Sequence, residues 1–263
     1  MSVAAVLLVK NEVDIIGATL DWLSTQVDEI IFQDNASNDG TREIAEAHGV
    51  TLIDDDDPAY YQAKKTTALG QRARGSGHNW VLPCDADEIW HTGEIKRPIR
   101  SYLAGLGPEV QVVQAAMYHH FPTDDDDPAV ENPVKRLKWR QRESGALPKV
   151  CARTAPDLKI GAGNHDAHYT SDRWARSVKG DLSIRHFSWR TPEQYLRKIR
   201  IGQAAYAATE LPESVGEHWR SWADKPDEAI LEWYDRWALH RSPHGNSELI
   251  LDPAPVPEDL LED

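Results

Sequence analysis

Three short apolar runs, separated by one helical repeat and one capped turn, constrain the beginning of this chain more than any other feature. Ser2 to Val9 is apolar at consecutive positions, as in a central strand covered on both faces. Lys10-Asn11-Glu12 then leads into a stretch where Val13, Ile16, Leu20, Leu23 and Val27 recur at helical spacing. Glu29 to Gln33 reads as a second strand. It runs into Asp34-Asn35-Ala36-Ser37-Asn38-Asp39-Gly40-Thr41, a run of turn-forming residues in which Asp39 or Thr41 is placed to cap a helix from Arg42 to His48. Val50 to Ile53 gives a third strand. Strand, helix, strand, helix, strand in this rhythm predicts an α/β fold, a doubly wound sheet with right-handed crossovers.

The next strand carries the chemistry. Trp80-Val81-Leu82 is a buried-strand pattern that ends in Pro83-Cys84-Asp85-Ala86-Asp87-Glu88. In open α/β sheets ligands sit beyond the carboxyl ends of the strands, so carboxylates released there can hold a divalent cation. A solvated acidic turn is the competing reading. The formal charge of −14, from 29 Lys plus Arg against 43 Asp plus Glu, argues against general binding to nucleic acid or anionic membrane. Two cysteines, Cys84 and Cys151, lie apart without metal-ligand spacing, which points to a reducing, cytoplasmic setting. The longest strongly apolar run, Val3 to Val9, is too short for a membrane span and lacks a basic leader.

Val9-Lys10-Asn11-Glu12, the Asp34 to Thr41 segment and Asp85-Ala86-Asp87-Glu88, in this order and spacing, resemble the amino-terminal half of family 2 glycosyltransferases with the GT-A fold. The likeness covers residues 3–120 and returns around 160–202. It implies a Rossmann-like doubly wound mixed sheet with a helical C-terminal extension. It also implies transfer of a sugar from a nucleotide-sugar donor, a UDP-sugar being favoured, to a hydroxyl acceptor with inversion. Val9, Lys10, Asn11, Glu12 and Asp34 would then hold the nucleoside, Asp34 accepting a base imide N–H. Lys65 and Arg72, on a helix from Tyr60 to Gly75, would reach the diphosphate, as would Lys198; each is equally readable as surface charge. Asp85 and Ala86 would face the donor, with Asp85 on the ribose or on the metal through water. Asp87 and a late histidine, His186, would ligate the cation. Carboxylate with imidazole suits Mn2+ better than Mg2+. Glu88 would support the site or cap the turn.

An inverting transfer needs a base for the incoming hydroxyl. Gly161-Ala162-Gly163-Asn164-His165-Asp166 offers Asp166 first and His165 second, with a glycine-rich surface loop as the plain alternative. Lys135 to Arg142, basic and bearing Trp139, is either an exposed strand or loop or a patch for an acidic acceptor. Asp-Asp-Asp-Asp-Pro-Ala occurs at residues 54–59 and again at 124–129, as solvated loops or cation sites. We place the transferase unit at residues 1–210, its donor half about 1–120 and its acceptor half about 121–210. A Trp-rich helical extension follows at 211–251, whose stripe of Ile230, Trp233, Tyr234 and Trp237 would pack on the sheet or on a second copy in a homo-oligomer. The proline-rich, acidic stretch 252–263 reads as a mobile tail. The acceptor is left open among a protein side chain, a glycan, a lipid-linked sugar and a modified nucleotide. The alternatives to a transferase of this kind are a nucleotidyltransferase, against which Lys10-Asn11-Glu12-Val13 speaks because it is not a glycine-rich phosphate loop, and a non-catalytic sugar-binding protein.

Overall fold

A computed structural model describes residues 1–171 and 175–261. Strands β1 (Val3–Val9), β2 (Glu29–Asp34) and β3 (Thr51–Asp54) alternate with helices α1 (Ile16–Gln26) and α2 (Thr41–Ala47). Helix α3 (Gln62–Gly75) leads into β4 (Trp80–Pro83), and a tight acidic turn joins β4 to β5 (Glu88–Thr92). Helix α4 (Ile99–Ala104), the long strand β6 (Val110–Phe121), the short helix α5 (Pro133–Arg136), β7 (Trp139–Gln141) and β8 (Lys149–Arg153) follow. Then come β9 (Leu158–Ile160), β10 (Ala167–Tyr169) and β11 (Arg176–His186), helices α6 (Pro192–Ala207), α7 (Glu217–Arg220) and α8 (Asp227–Trp233), and β12 (Leu249–Leu251).

The main sheet has the order β12-β7-β6-β8-β4-β1-β2-β3, with β11 pairing to both β5 and β6. β3, β2, β1 and β4 are parallel, so Asp54, Asp34, Val9 and Pro83 all end at one edge. β8 runs antiparallel to both β4 and β6, which makes the sheet mixed. Side-chain alternation explains the continuous apolar run of β1. Ala5, Leu7 and Val9 face a core with Leu20, Phe32 and Trp90, while Ala4 and Val6 face a second core with Ile31, Leu69 and Ile160.

Helix α1 locks the acidic turn to this frame. The Thr19 hydroxyl donates to the Ala86 carbonyl at 2.7 Å, and the Trp22 indole donates to the Trp90 carbonyl at 2.6 Å.

Three expectations are corrected. The stretch from residue 252 is packed, as far as it is described, rather than a loose tail: Ala254 is buried with Ile15, Trp22 and Phe187, and residues 257–260 form a 3-10 turn beside α1. Residues 262 and 263 lie outside the described residues. The basic segment 135–142 is not an open patch, because Trp139 and Arg140 are buried and Lys135 pairs with Glu258 at 2.8 Å. In the aromatic stripe, Ile230 and Tyr234 pack on Tyr195 and Ile199, but Trp237 is 61% exposed. The Leu239 N–H donates to the Tyr234 carbonyl, an i→i+5 turn that brings Ala238 to the core in place of Trp237.

Candidate active site

The site grows from the common carboxyl edge of the parallel strands. Val9 is a core residue whose carbonyl accepts the Asn35 N–H at 2.8 Å, so it fixes the edge instead of presenting a side chain. Lys10 bends over the neighbouring turn, its Nζ donating to the Asn35 carbonyl at 2.5 Å. Asn11 sits in the left-handed region at φ 55°, where its N–H donates to Ser37 Oγ and its Oδ1 accepts the Asn38 N–H. Together these bonds hold the turn as a rigid rim. On that rim Asp34 is 3% exposed; its Oδ2 accepts the Ser37 N–H at 3.2 Å, and its Oδ1 is buried without a hydrogen-bond partner among the described residues. A buried, bare carboxylate oxygen is costly unless a ligand donor completes it.

The acidic turn is held by cations from distant parts of the chain. Asp85 Oδ2 accepts from Lys149 Nζ at 2.5 Å, and its Oδ1 accepts from the Asn164 amide at 3.1 Å. Lys149 also lies 2.9 Å from Glu88 Oε1, while Glu88 Oε2 accepts the Asp85 N–H and the Trp90 indole N–H. Glu88 is therefore the turn's internal brace. Burial raises its pKa against the opposing pull of Lys149, and Lys149, though desolvated, is raised by Asp85 and Glu88. Ala86 is buried, with its carbonyl committed to Thr19.

Asp87 is nearly inaccessible and meets three basic groups. Lys198 Nζ, from α6, donates to Oδ2; Arg190 lies 3.6 Å from the same oxygen; His186 Nε2 lies 3.5 Å from Oδ1. Burial opposes ionisation of Asp87, but Lys198, then His186 and Arg190, outweigh it and hold the carboxyl well below the usual carboxylate range. Arg190 in turn binds Glu12 and takes Asp14 in a bidentate pair at 2.7 and 3.0 Å, which ties the turn between β1 and α1 to the start of α6. Burial raises Glu12 in spite of Arg190. Behind His186, His119 Nδ1 stands 3.0 Å from His186 Nδ1, and burial followed by the neighbouring His186 pushes His119 down to about 3.

Asp34, Asp85, Asp87, His186 and Lys198 thus gather at one edge of the sheet, while the other expected donor and base residues hold different partners. Lys65 lies beside this edge, engaged by Asp55 at 2.7 Å and by the Asp57 carbonyl at 3.1 Å, in an otherwise exposed acidic run whose Asp55 N–H donates to the Asp34 carbonyl. Arg72 is exposed two turns further along α3, and its charge acts on Glu29 at the amino end of β2, the opposite edge from the site. Asp166 is exposed, with its carboxylate folded back on Gly161, where a Cβ would fall 1.6 Å from Oδ1. His165 donates from Nδ1 to the Pro148 carbonyl at 2.8 Å. The loop's buried contribution to the acidic turn is Asn164. Lys149, Arg190, Asn164 and His119 are the residues that sequence reasoning missed. A lone lysine opening the apolar strand 149–152 was a usable signal for the first; the others carry none without the fold.

Among the described residues no three His, Cys, Asp or Glu side chains converge as a ready-made metal site. The donor set nonetheless fits a divalent ion. Asp87 Oδ1 and His186 Nε2 are close enough to share one, and Lys198 occupies the other carboxylate oxygen.

A model of glycosyl transferase family 2 matches residues 5–158. No curated protein matches the chain. Among solved structures, it is similar to a mannosyltransferase from Pyrobaculum calidifontis in complex with GDP-Man and Mn2+, at 19% identity over 89% of this chain and 73% of that one, TM-score 0.45. Glucosyl-3-phosphoglycerate synthase from Mycobacterium tuberculosis, in complex with Mn2+, UDP-Glc and phosphoglyceric acid, is 23% identical over 44% of this chain and 43% of that one, TM-score 0.31. Mannosyl-3-phosphoglycerate synthase from Rubrobacter xylanophilus is 24% identical over 44% of this chain and 41% of that one, TM-score 0.31. The likeness to these two synthases spans less than half of their length.

Proposed function

The chain belongs to glycosyl transferase family 2 and has the GT-A fold, and from that premise we propose that it moves a sugar from a nucleotide-sugar donor, a UDP-sugar by preference, to an acceptor hydroxyl with inversion and with the help of a divalent cation. The observation that carries this reading is the meeting of Asp87, His186 and Lys198 at the carboxyl end of β4. Asp34 Oδ1 accepts the imide N–H of the base, with Asn11 on the same rim. Asp85, steadied by Lys149 and Asn164, faces the ribose. Asp87 and His186 hold Mn2+ or Mg2+, which when bound neutralises charge on the departing diphosphate. Lys198 supplies a second positive charge there. Asp166, or His165 in its place, takes the proton of the acceptor hydroxyl as the sugar–phosphate bond breaks. Both cysteines are free thiols, in keeping with work in a reducing cytoplasm, and no helix among the described residues is long and apolar enough to cross a membrane.

The test is thermal stability against UDP-, GDP-, CDP- and TDP-sugars, with and without Mn2+, for the wild type and Asp87→Ala. A ligand that binds the folded state alone raises the melting temperature by mass action. The expected result is a shift that needs both Mn2+ and one nucleotide sugar and is lost in Asp87→Ala. No shift with any sugar in the presence of Mn2+ would overturn the reading.

A further inference from the structure

We infer that His119 is a positioning residue: it fixes the tautomer of His186 so that His186 Nε2 presents a bare lone pair to the cation beside Asp87. The inference rests on the function proposed above. Parallel pairing of β6 with β11 sets His119 opposite His186, which puts both rings on one face. Their Nδ1 atoms are 3.0 Å apart, and two ring nitrogens at that distance share one proton. If His119 carries it, His186 is protonated on Nε2, where it donates to Ser188 Oγ at 3.0 Å or turns an N–H toward Asp87. That arrangement has no lone pair for a metal. If His186 carries it, His186 Nδ1 donates to His119, Nε2 is bare, and the Ser188 hydroxyl donates to it until a cation arrives. The second arrangement is the one that ligation requires, and an outer partner of this kind is the usual means of orienting a metal-bound imidazole. The acceptor is itself firmly seated. The His119 ring centre lies 5.2 Å from that of Trp189, and the two rings are tilted at 53°.

Two variants separate this role from packing. His119→Phe fills the ring's place without an acceptor, and His119→Asn returns an oxygen near the position of Nδ1. Mn2+ is titrated into each protein with saturating UDP, and in parallel with GDP, with free Mn2+ read by electron paramagnetic resonance. The expected result is binding about 10 to 100-fold weaker in His119→Phe, with His119→Asn within a few-fold of wild type. Equal affinity in wild type and His119→Phe would overturn the inference while leaving the proposed function standing, as would His119→Asn being as weak as His119→Phe. If the wild type bound no Mn2+ with either nucleotide, the proposed function would fall and this inference with it. Nitrogen-15 histidine spectra of the wild type with Mg2+ and UDP give a reading that does not depend on a variant folding. His119 protonated on Nε2 is expected, and His119 protonated on Nδ1 would refute the assignment.

Discussion

At Asp87 one carboxylate serves two kinds of positive charge, and the consequence is competition. Lys198 holds Oδ2 while Oδ1 faces His186, so an arriving divalent ion must share the carboxylate with an ammonium already there. Lys198→Met should therefore tighten Mn2+ binding, by about tenfold for the loss of one nearby positive charge, while slowing sugar transfer because the departing diphosphate loses a partner. Mn2+ titration beside a turnover assay checks both signs; unchanged affinity would mean that Lys198 and the cation do not meet at Asp87. Lys149 behaves differently because both of its partners are carboxylates. Lys149→Met should cost about 3–5 kcal/mol in urea unfolding, since it leaves Asp85 and Glu88 side by side without a counter-charge. That Asp85, Asp87, His186 and Lys198 would come together was legible because a strand that ends in acids, and a family likeness that reaches past it, mark them. Arg190 and His119 were not legible, because their meaning comes from contacts made across long chain separations. Arg190 reads as one more basic residue until Glu12 and Asp14 are seen across 176 to 178 positions of sequence.

Among the elements, the segment after β12 shows how composition misleads. Prolines and acids at 252–261 describe a tail, yet Asp252 Oδ2 accepts from Arg140 Nε at 2.5 Å and Arg185 at 2.8 Å, and both guanidinium groups lie over the Tyr118 ring. Two poorly exposed guanidinium groups depend on this one carboxylate. Asp252→Ala should lower stability by about 2–4 kcal/mol and speed amide exchange in β7 and along the face of α1 covered by 254–260, read by denaturant unfolding and hydrogen exchange. Stability equal to wild type would show that the segment is held by its apolar contacts alone. β1, β2, β3 and the core of β4 were readable because continuous apolar runs bounded by turn residues have few other solutions. β5 was hidden in the acidic stretch itself. Glu88 opens that strand from a fully buried position, which no charged residue in a sequence announces.

For the molecule as a whole, acid sensitivity should come from histidines kept neutral in the interior. Burial, followed by the charge of Arg185, pushes His91 down to about 4; burial, against the Leu137 carbonyl bond that favours protonation, pushes His120 down to about 3. Each uses Nδ1 to donate to a carbonyl, Thr92 for His91 and Leu137 for His120, which leaves Nε2 buried and bare. In the unfolded chain both titrate near 6.5. Between about pH 6.5 and 4 the unfolded chain takes up protons that the folded one refuses, so stability rises with pH across this window and levels off above 7. Each histidine contributes at most about 1.4 kcal/mol per pH unit. Asp87 and Asp55, both held below the usual carboxylate range, keep their charge in this window; their contributions are lost only at lower pH, as it falls through their folded values. Urea unfolding at pH 7.5, 6.5, 5.5 and 4.5 should show a net loss of stability, partly offset at the acid end by Glu12 and Glu88, whose raised carboxyls take up protons in the fold ahead of the unfolded chain. His120→Gln, which keeps a side-chain amide and removes the titration, should make the slope shallower by up to one proton's worth. A flat profile down to pH 4.5 would mean that His91 and His120 pick up protons as readily inside the fold as outside it, and that their burial between β5, β6 and β11 is looser than the packing of His120 on Phe187 at 4.6 Å implies.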